Sequence, residues 1–504
     1  MADDGGLRAD GVTGPGSAAD PLDAIVVGGG IAGLVAAREL AVLGLRPLVL
    51  DGWSAVGGAV GRHTVAGLEL DAGADSFATR DGIVAELATE LGLGSAIVAP
   101  SGRGAWVQLP TGAGTLPRTG VLGIPAHPWA RDVRGTIGLL GALRASADRL
   151  LPAAYGTLTS DGTPASLGAL VARRMGPRVL DRLVGPVVSG VHAADPNELD
   201  LDTVAPGLRA ALAARGSLGA AVASMRALAP AGSAVAGLAG GMHGIIDALA
   251  ADVVARGGRI ETGARVTALA CAGAPWSVTV AGAAAHSGTP PTSDRVLHAR
   301  RLVLALPGPA ATDLLAPLLP DLTERPEAGA DVVLATLVLA APALDAAPRG
   351  TGVLVAPGVE GVRAKALTHA TAKWAWLATA AGPGRHVLRL SYGPAAGRSD
   401  VAKLDLEELT TLALRDASTL LGVPLERSQV VGAARVRWSQ SLPKPSPAHR
   451  AAVAAARGGA STLPGLAVCG SWVAGNGLAA VVAQARAVVR PAEAAEPRPT
   501  VNSQ

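Results

Sequence analysis

The first regular feature of the chain is a short apolar run that leads through glycines into a helical pattern. Residues Asp23–Val27 (DAIVV) are almost wholly apolar, as expected of a parallel strand that is buried on both faces. GGGIAG follows at Gly28–Gly33, and apolar residues then recur at helical spacing up to Gly44, a predicted C-cap. A second apolar run ends at Asp51. The pattern therefore predicts strand, glycine turn, helix and strand within about 30 residues.

The glycines of this turn have separate expected roles if the turn binds a dinucleotide. Gly28 permits the tight turn, Gly30 lets the backbone approach a pyrophosphate, and Gly33 lets the helix pack close to the strand. The N–H groups at the helix start face the phosphate charge, and Asp51 can accept hydrogen bonds from a ribose. The alternative is a glycine-rich turn without a ligand. The predicted contacts in this stretch are Gly28, Gly29, Gly30, Ile31, Ala32 and Gly33.

A second glycine-rich segment follows the acidic end of the second strand. The pair Gly57-Gly58 comes six residues after Asp51, and an alternating pattern then runs from Gly67 into a turn that ends at Phe77. We expect this segment to continue the nucleotide site. The predicted contacts here are Asp51, Gly52, Gly57, Gly58, Gly73, Ala74, Asp75 and Ser76.

The remaining apolar patterns divide the chain into a strand-rich and a helix-rich part. Arg259–Leu269 and Arg300–Pro307 each read as one strand, the second as a buried parallel strand. Residues 125–225 contain Ala/Leu/Arg runs that predict helices. Residues 313–427 predict an antiparallel sheet whose strands include Asp331–Ala340, Gly350–Ala356 and His386–Gly393.

One long uncharged stretch imitates a membrane span. Gly458–Ala485 has no charged residue, but it contains Pro464, Asn476, Gln484 and several glycines. These residues suit a membrane helix poorly. We therefore predict a buried strand, a glycine-rich turn and a helix, and no membrane span.

Composition and charge limit the classes of function. The chain has 504 residues, 49% of them apolar, so we expect two or three domains with a large core. There are 43 basic and 40 acidic residues without a dense basic run, which argues against a nucleic-acid partner. Cys271 and Cys469 belong to no ligand set, so we expect neither a disulfide framework nor a metal site. We predict a cytoplasmic location, with disordered ends at 1–21 and 491–504.

Several motifs, in a fixed order, resemble one enzyme family. GADSF at Gly73–Phe77 is followed by Ser166–Leu199 (SLGALVARRMGPRVLDRLVGPVVSGVHAADPNEL), THATAKW at Thr368–Trp374, VLRLSYG at Val387–Gly393 and LPGLAVCGSWVAGNGL at Leu463–Leu478. Residues 22–488 thereby resemble the oxygen-dependent protoporphyrinogen and coproporphyrinogen III oxidases of the flavin-containing amine oxidase superfamily. NAD dehydrogenases do not usually carry the second glycine segment, so the resemblance implies FAD as the cofactor.

The resemblance implies an α/β fold with interleaved domains. A Rossmann-like FAD-binding domain is expected from 22–98, 232–312 and 428–490, and a mixed-sheet substrate domain from 99–124 and 313–427. Residues 125–231 would form a helical lobe. Such a lobe touches membranes in some relatives, but we favour an ordinary solvated lobe and keep peripheral membrane contact as the alternative.

The resemblance also implies further site residues. It places the backbone of Val266 at the adenine, Trp438 beside the flavin, and the segment Gly475, Asn476, Gly477 and Leu478 at the cofactor. Arg103 matches a substrate-binding Arg that grips a propionate. Arg80 and Arg118 are weaker candidates, and each Arg has a solvated surface charge as its alternative. No catalytic side chain is assigned, because the cofactor carries the chemistry.

The implied reaction is the six-electron oxidation of a porphyrinogen in haem biosynthesis, with molecular oxygen as acceptor and hydrogen peroxide as product. The substrate would be coproporphyrinogen III, giving coproporphyrin III, or protoporphyrinogen IX, giving protoporphyrin IX. Two alternatives stay open: another flavin oxidase that acts on an amine or a polyene, and a non-catalytic paralogue that binds flavin or porphyrin. The sequence leaves the oligomeric state open.

Departures from the family pattern keep these alternatives alive. The strand-ending acid is Asp51 rather than Glu, and the family segments GVYAGDP, LPQY and GxGIP read GVHAADP, LPKP and GNGLA here. The family Arg after the strand Val387–Gly393 is replaced by Pro394.

Overall fold

A computed structural model describes residues 21–490, apart from residues 80, 118–119, 193, 228–234, 272–274, 283–292, 321, 327–328, 394–398 and 443–445. The two predicted disordered ends lie outside the described residues except for residue 21. Arg80, Arg118, Pro394 and most of the LPKP segment lie outside them as well.

The described residues form strands and helices that we number in chain order. The strands are β1 Leu22–Val27, β2 Pro47–Leu50, β3 Arg62–Val65, β4 Leu68–Asp71, β5 Phe77–Ala78, β6 Ile97–Val98, β7 Trp106–Leu109, β8 Gly112–Thr115, β9 Gly120–Val121, β10 Ile124–Pro125, β11 Val235–Leu238, β12 Arg259–Glu261, β13 Val266–Ala270, β14 Trp276–Val280, β15 Arg295–Leu304, β16 Ala330–Ala340, β17 Gly352–Val355, β18 Ala366–His369, β19 Arg385–Tyr392, β20 Val430–Leu442 and β21 Leu466–Val468. The α-helices are α1 Ile31–Val42, α2 Ile83–Glu90, α3 Arg131–Ser146, α4 Leu167–Met175, α5 Pro177–Val179, α6 Gly185–His192, α7 Leu201–Val204, α8 Leu208–Arg215, α9 Leu218–Ala227, α10 Gly244–Ala255, α11 Gly308–Leu315, α12 Ala370–Lys373, α13 Ala375–Ala381, α14 Leu406–Leu421, α15 Pro447–Ser461, α16 Ser471–Ala474 and α17 Leu478–Val489.

The first sheet is built around the predicted N-terminal unit. Its order is β12-β2-β1-β15-β14-β13, and β21 also pairs with β15. Strands β12, β2, β1, β15 and β21 run parallel, whereas β14 and β13 continue the sheet antiparallel. Helix α1 packs against this sheet and is buried at all but one of its 12 residues. The α/β fold and the predicted βαβ unit are confirmed.

One prediction about the strands of the first sheet is wrong, and another agrees with the structure. The prediction of one strand over Arg259–Leu269 is wrong, because the chain turns at Gly263, with φ of 68°, and splits into β12 and β13. The uncharged stretch Gly458–Ala485 does form a strand, a turn and helices, as predicted. Among the helices of the described residues, none is both long and apolar enough to cross a membrane.

The second sheet has the order β20-β16-β19-β18-β17-β7-β8. Its pairs are antiparallel except β17 with β7. One face packs on α14 through a core that includes Leu337 and Leu388. Strand β20 belongs to this sheet through its pairing with β16. The first strand of the expected flavin-domain segment 428–490 thus extends the second sheet, and the bounds of the domains stay a prediction.

The third core belongs to the helical lobe and joins helices α3–α9. At its centre Arg174, which is fully buried, donates to Asp148 Oδ1 over 2.6 Å. The guanidinium also donates to five backbone carbonyls, those of Asp148, Pro152, Ala153, Tyr155 and Gly216. A buried charge is tolerated here because every polar group of the pair has a partner.

The surface of the lobe carries an unusual density of apolar side chains. Seven of the 14 large apolar side chains that are exposed among the described residues lie between positions 129 and 158. We call this group the lobe patch: Trp129, Leu139, Leu140, Leu143, Leu150, Tyr155 and Leu158. Exposed apolar side chains that are grouped in this way are common on surfaces that bind a membrane or another protein.

Candidate active site

The turn between β1 and α1 is fixed by close packing at two of its glycines. Gly28 has φ of 106°, and a Cβ on it would lie 2.5 Å from the carbonyl oxygen of Ala305. A Cβ on Gly33 would lie 1.8 Å from the carbonyl oxygen of Gly28. Any side chain at either position would therefore displace backbone. The packing roles predicted for these two glycines agree with this geometry.

Gly30 differs from its neighbours because the space beside it is open. A Cβ on Gly30 would meet no protein atom within 4 Å. Gly30 is the N-cap of α1, and no side chain caps that helix end. Open space in front of uncapped helix N–H groups is what a pyrophosphate requires.

Asp51 is buried at the carboxyl end of β2, as the sequence predicts. Its Oδ2 accepts the N–H of Gly29 over 2.6 Å, and its Oδ1 accepts the N–H of Trp53 over 2.8 Å. Each oxygen can accept a second hydrogen bond, so a ribose hydroxyl fits this carboxylate. The backbone of Asp51 accepts from Ala264, which brings the start of β13 at Val266 to the same end.

The second glycine segment folds against the first. Gly57 has φ of 123° and donates to the carbonyl oxygen of Gly29 over 2.9 Å. A Cβ on Gly58 would lie 3.4 Å from the Cα of Gly30. Gly52, by contrast, follows Asp51 directly, and a Cβ on Gly52 would lie 3.8 Å from the Cα of Arg265. The glycine pair thus lies against the turn, and its predicted contact with the nucleotide stays a prediction.

The segment Gly73–Ser76 continues the same surface. Ala74 donates to the carbonyl oxygen of Ala59 over 2.8 Å, and a Cβ on Gly73 would lie 2.1 Å from that oxygen. Trp438 of β20 donates its indole N–H to the carbonyl oxygen of Ala72 over 2.9 Å. Trp438 therefore stands directly beside this segment, and its place beside the flavin stays a prediction.

The C-terminal glycine segment supplies a second helix start. Gly475 and Gly477 have φ of 91° and 112°, and a Cβ on either would meet no protein atom within 4 Å. Asn476 stands between them, and Leu478 opens α17, which packs against α1. The departure from the family pattern at Leu478-Ala479 leaves this helix start intact.

The two ends of the surface suit the two ends of one elongated ligand. Asp51 with Val266 lies at one end, the turn at Gly30 lies between, and Gly73–Ser76 with Trp438 lies at the other. FAD is such a ligand, with adenosine, pyrophosphate and flavin in that order. The open backbone at Gly30 is the observation that fits it, because a larger residue would fill the space for the phosphates.

Arg103 lines a groove of about 430 Å³, together with His369, His386 and Asp345. Its guanidinium donates to the carbonyl oxygen of Ala346 over 3.3 Å. Nε2 of His386 lies within hydrogen-bond distance of Asp345 Oδ1, at 2.9 Å, and Nδ1 of His386 lies 3.0 Å from Nε2 of His369. Burial, then the charges of His386 and Arg103, lower the pKa of His369 to about 4, so His369 is neutral at pH 7.

Two residues beside Gly73–Ser76 escaped the sequence analysis. Lys373 Nζ lies 3.0 Å from Asp75 Oδ2, and Arg389 Nη2 lies 3.4 Å from the same oxygen. These two cations hold the pKa of Asp75 below its ordinary value against the opposing effect of burial, which is the largest single influence. The signal was present, because both residues lie in family-like motifs, THATAKW and VLRLSYG.

The fold and the site define a flavoprotein oxidoreductase with a Rossmann-like cofactor domain and a second sheet of mostly antiparallel strands. The chain belongs to the flavin containing amine oxidoreductase family, which it matches over residues 31–487. Its cofactor is FAD, as the second glycine segment led us to expect.

Individual relatives extend this likeness along almost the whole chain. The chain is 31% identical to the coproporphyrinogen III oxidase of Mycobacterium bovis over 486 residues, which cover 94% of this chain and 98% of the relative. It is 25% identical to the coproporphyrinogen III oxidase of Bacillus subtilis, over 92% and 96%. The crystal structure of "Putative protoporphyrinogen oxidase" from Exiguobacterium sp. 255-15 has a similar fold, with a TM-score of 0.76, 24% identity and coverage of 94% and 98%.

Proposed function

We propose that this flavoenzyme oxidises coproporphyrinogen III to coproporphyrin III in haem biosynthesis, with oxygen as acceptor and hydrogen peroxide as product. The observation that carries the proposal is the end-to-end similarity to relatives named for this substrate, which includes the helical lobe. Bound FAD would supply the two-electron oxidation chemistry.

The residues of the chain would hold the substrate between the second sheet and the lobe. Helix α6 of the lobe lies so close to β17 that a Cβ on Gly190 would be 2.8 Å from the Cδ2 of Leu354. The lobe thus covers part of the second sheet at β17. Such a cover supports exclusion of water from the reacting carbon atoms.

The test is to mix the purified, yellow protein with coproporphyrinogen III in air and to follow porphyrin fluorescence and peroxide together. Both signals should rise, faster than with protoporphyrinogen IX, and both should stop when oxygen is removed. A faster rise with protoporphyrinogen IX would move the assignment to that substrate. No rise with either, from protein that retains its flavin, would overturn the proposal and leave an amine or polyene oxidase or a non-catalytic paralogue.

We further propose that Arg103 binds a propionate of this substrate. Arg103→Met should raise KM for coproporphyrinogen about tenfold, because a charge-assisted, bidentate bond is lost. Arg103→Lys should recover only part of the affinity, because ammonium is a point charge. Steady-state kinetics would measure this, with the exposed lobe residue Arg215→Met as the matched control. An unchanged KM in Arg103→Met would show that Arg103 makes contacts within its groove and does not bind the substrate.

The lobe patch supports peripheral membrane contact as a further proposal. Exposed apolar side chains are accompanied by Arg131, Arg134, Arg144 and Arg149, the combination that favours anionic lipid surfaces. The protein should float with vesicles that contain phosphatidylserine, and the triple change of Leu139, Leu140 and Leu143 to Gln should abolish flotation. Leu406→Gln, on α14 of the other domain, is the control. Flotation that survives the triple change would contradict this contact.

A further inference from the structure

An ion cluster joins the cofactor domain to the second sheet. Asp75 contributes the carboxylate, Lys373 and Arg389 contribute the cations, and the Oγ of Ser76 donates to Asp75 Oδ1 over 2.9 Å. Lys373 also donates to Ser76 Oγ over 3.3 Å, and Arg389 donates to the carbonyl oxygen of Gly73 over 2.6 Å. Both cations therefore bind the short segment Gly73–Ser76, Lys373 through the segment's side chains and Arg389 through a backbone carbonyl and a side chain.

The cluster lies on the side of the sheet that faces the cofactor domain. The register pairs Leu337 with Leu388, which point into the core under α14, so Arg389 points to the opposite face. On that face, Arg389 donates to the carbonyl oxygen of Gly73. Gly73 packs on Ala59, and Ala59 directly follows the pair Gly57-Gly58, which contacts the nucleotide-binding turn. A continuous series of contacts thus connects the pyrophosphate turn with the cluster.

The cluster is poorly screened by solvent. The side chains of Lys373, Arg389 and Asp75 are 15%, 17% and 16% exposed. Two cations lie beside the single carboxylate of Asp75. The nearby carboxylate of Asp71 accepts the backbone N–H of His243 over 3.1 Å. Charges that are removed from water act over longer distances than surface charges.

We propose that the positive charges of Lys373 and Arg389 raise the reduction potential of the bound FAD. Asp75 weakens this effect and fixes the position of the two cations. Reduction adds negative charge to a flavin, so a fixed cation beside its end of the site favours the reduced form. The carboxylate of Asp75 opposes this effect and keeps the two cations against Gly73–Ser76. Lys373 is thus a positioning and tuning residue, and its role does not depend on which substrate is oxidised.

The test is the midpoint potential of the FAD in the holoenzyme, measured by dye equilibration, together with the affinity for sulfite, an anion that adds to electron-poor flavins. Lys373→Met should lower the potential and weaken sulfite binding about tenfold. Asp75→Asn should shift both quantities in the opposite direction. Lys373→Arg, which keeps the charge, should stay near the wild type.

A control variant separates this effect from a general change of charge. Lys403→Met removes the same charge from the far side of the second sheet and should leave both quantities unchanged. Flavin content and thermal unfolding would show whether each variant is intact. Shifts of the same sign in Lys373→Met and Asp75→Asn, or no shift in either, would overturn the proposal. If Lys373→Met fails to bind flavin, Asp75→Asn must still raise the potential for the proposal to stand.

Discussion

The variant Gly30→Val should fold but bind FAD weakly. A Cβ at Gly30 would meet no protein atom within 4 Å, so we expect the apo protein to accommodate the substitution. The same side chain would occupy the open space before α1, where the pyrophosphate approaches the helix N–H groups. Overpacking of about 1–3 kcal/mol corresponds to a Kd that is weaker by roughly five- to 150-fold. Fluorescence titration of apoprotein with FAD would measure the loss.

Two other glycine variants serve as comparisons for Gly30→Val. Gly33→Ala should impair folding itself, because its Cβ would lie 1.8 Å from the carbonyl oxygen of Gly28. Gly458→Ala, in helix α15, has no neighbour within 4 Å and should change neither folding nor FAD affinity. FAD binding in Gly30→Val that equals the wild type would show that the phosphates do not approach this turn.

Arg174→Met should destabilise the helical lobe by about 3–5 kcal/mol, the usual penalty for breaking a buried ion pair on one side. The change leaves Asp148 charged and buried, although Gly219 still donates to its Oδ2 over 3.0 Å. Five backbone carbonyls lose the same donor. Hydrogen exchange of the lobe amides and urea unfolding would both report the loss.

The neighbouring Arg173 provides the matched control. Its side chain is exposed and donates to the carbonyl oxygen of Leu158 over 2.6 Å. Arg173→Met should therefore change lobe stability little, because an exposed guanidinium is hydrated in either state. Equal destabilisation by the two variants would mean that loss of side-chain packing, and not the buried pair, accounts for the effect.

The sequence alone was sufficient for the nucleotide-binding unit, because its signals are local. A buried strand, a glycine turn and a helix each leave a periodic pattern within a few residues, and the roles of Gly28 and Gly33 follow from sterics at their own positions. The same holds for the strands around Asp331–Ala340 and for the strand, turn and helix near the C-terminus. The split between β12 and β13 was missed because Gly263 bends a pattern that is otherwise continuous.

Only the tertiary structure decided which distant residues meet. Lys373 binds Asp75 across 298 positions of sequence, and no local period encodes that contact. Strand β20 pairs with β16, which lies about 100 residues earlier in the chain. Such long-range pairing depends on the neighbouring strands of the sheet rather than on the pattern of β20 itself. Arg103 was predicted from a motif, but its groove exists only where β18, β19 and the loop at Asp345 come together. Local periodicity thus determined the helices and strands of this protein, whereas packing between distant segments determined which charges meet at Gly73–Ser76.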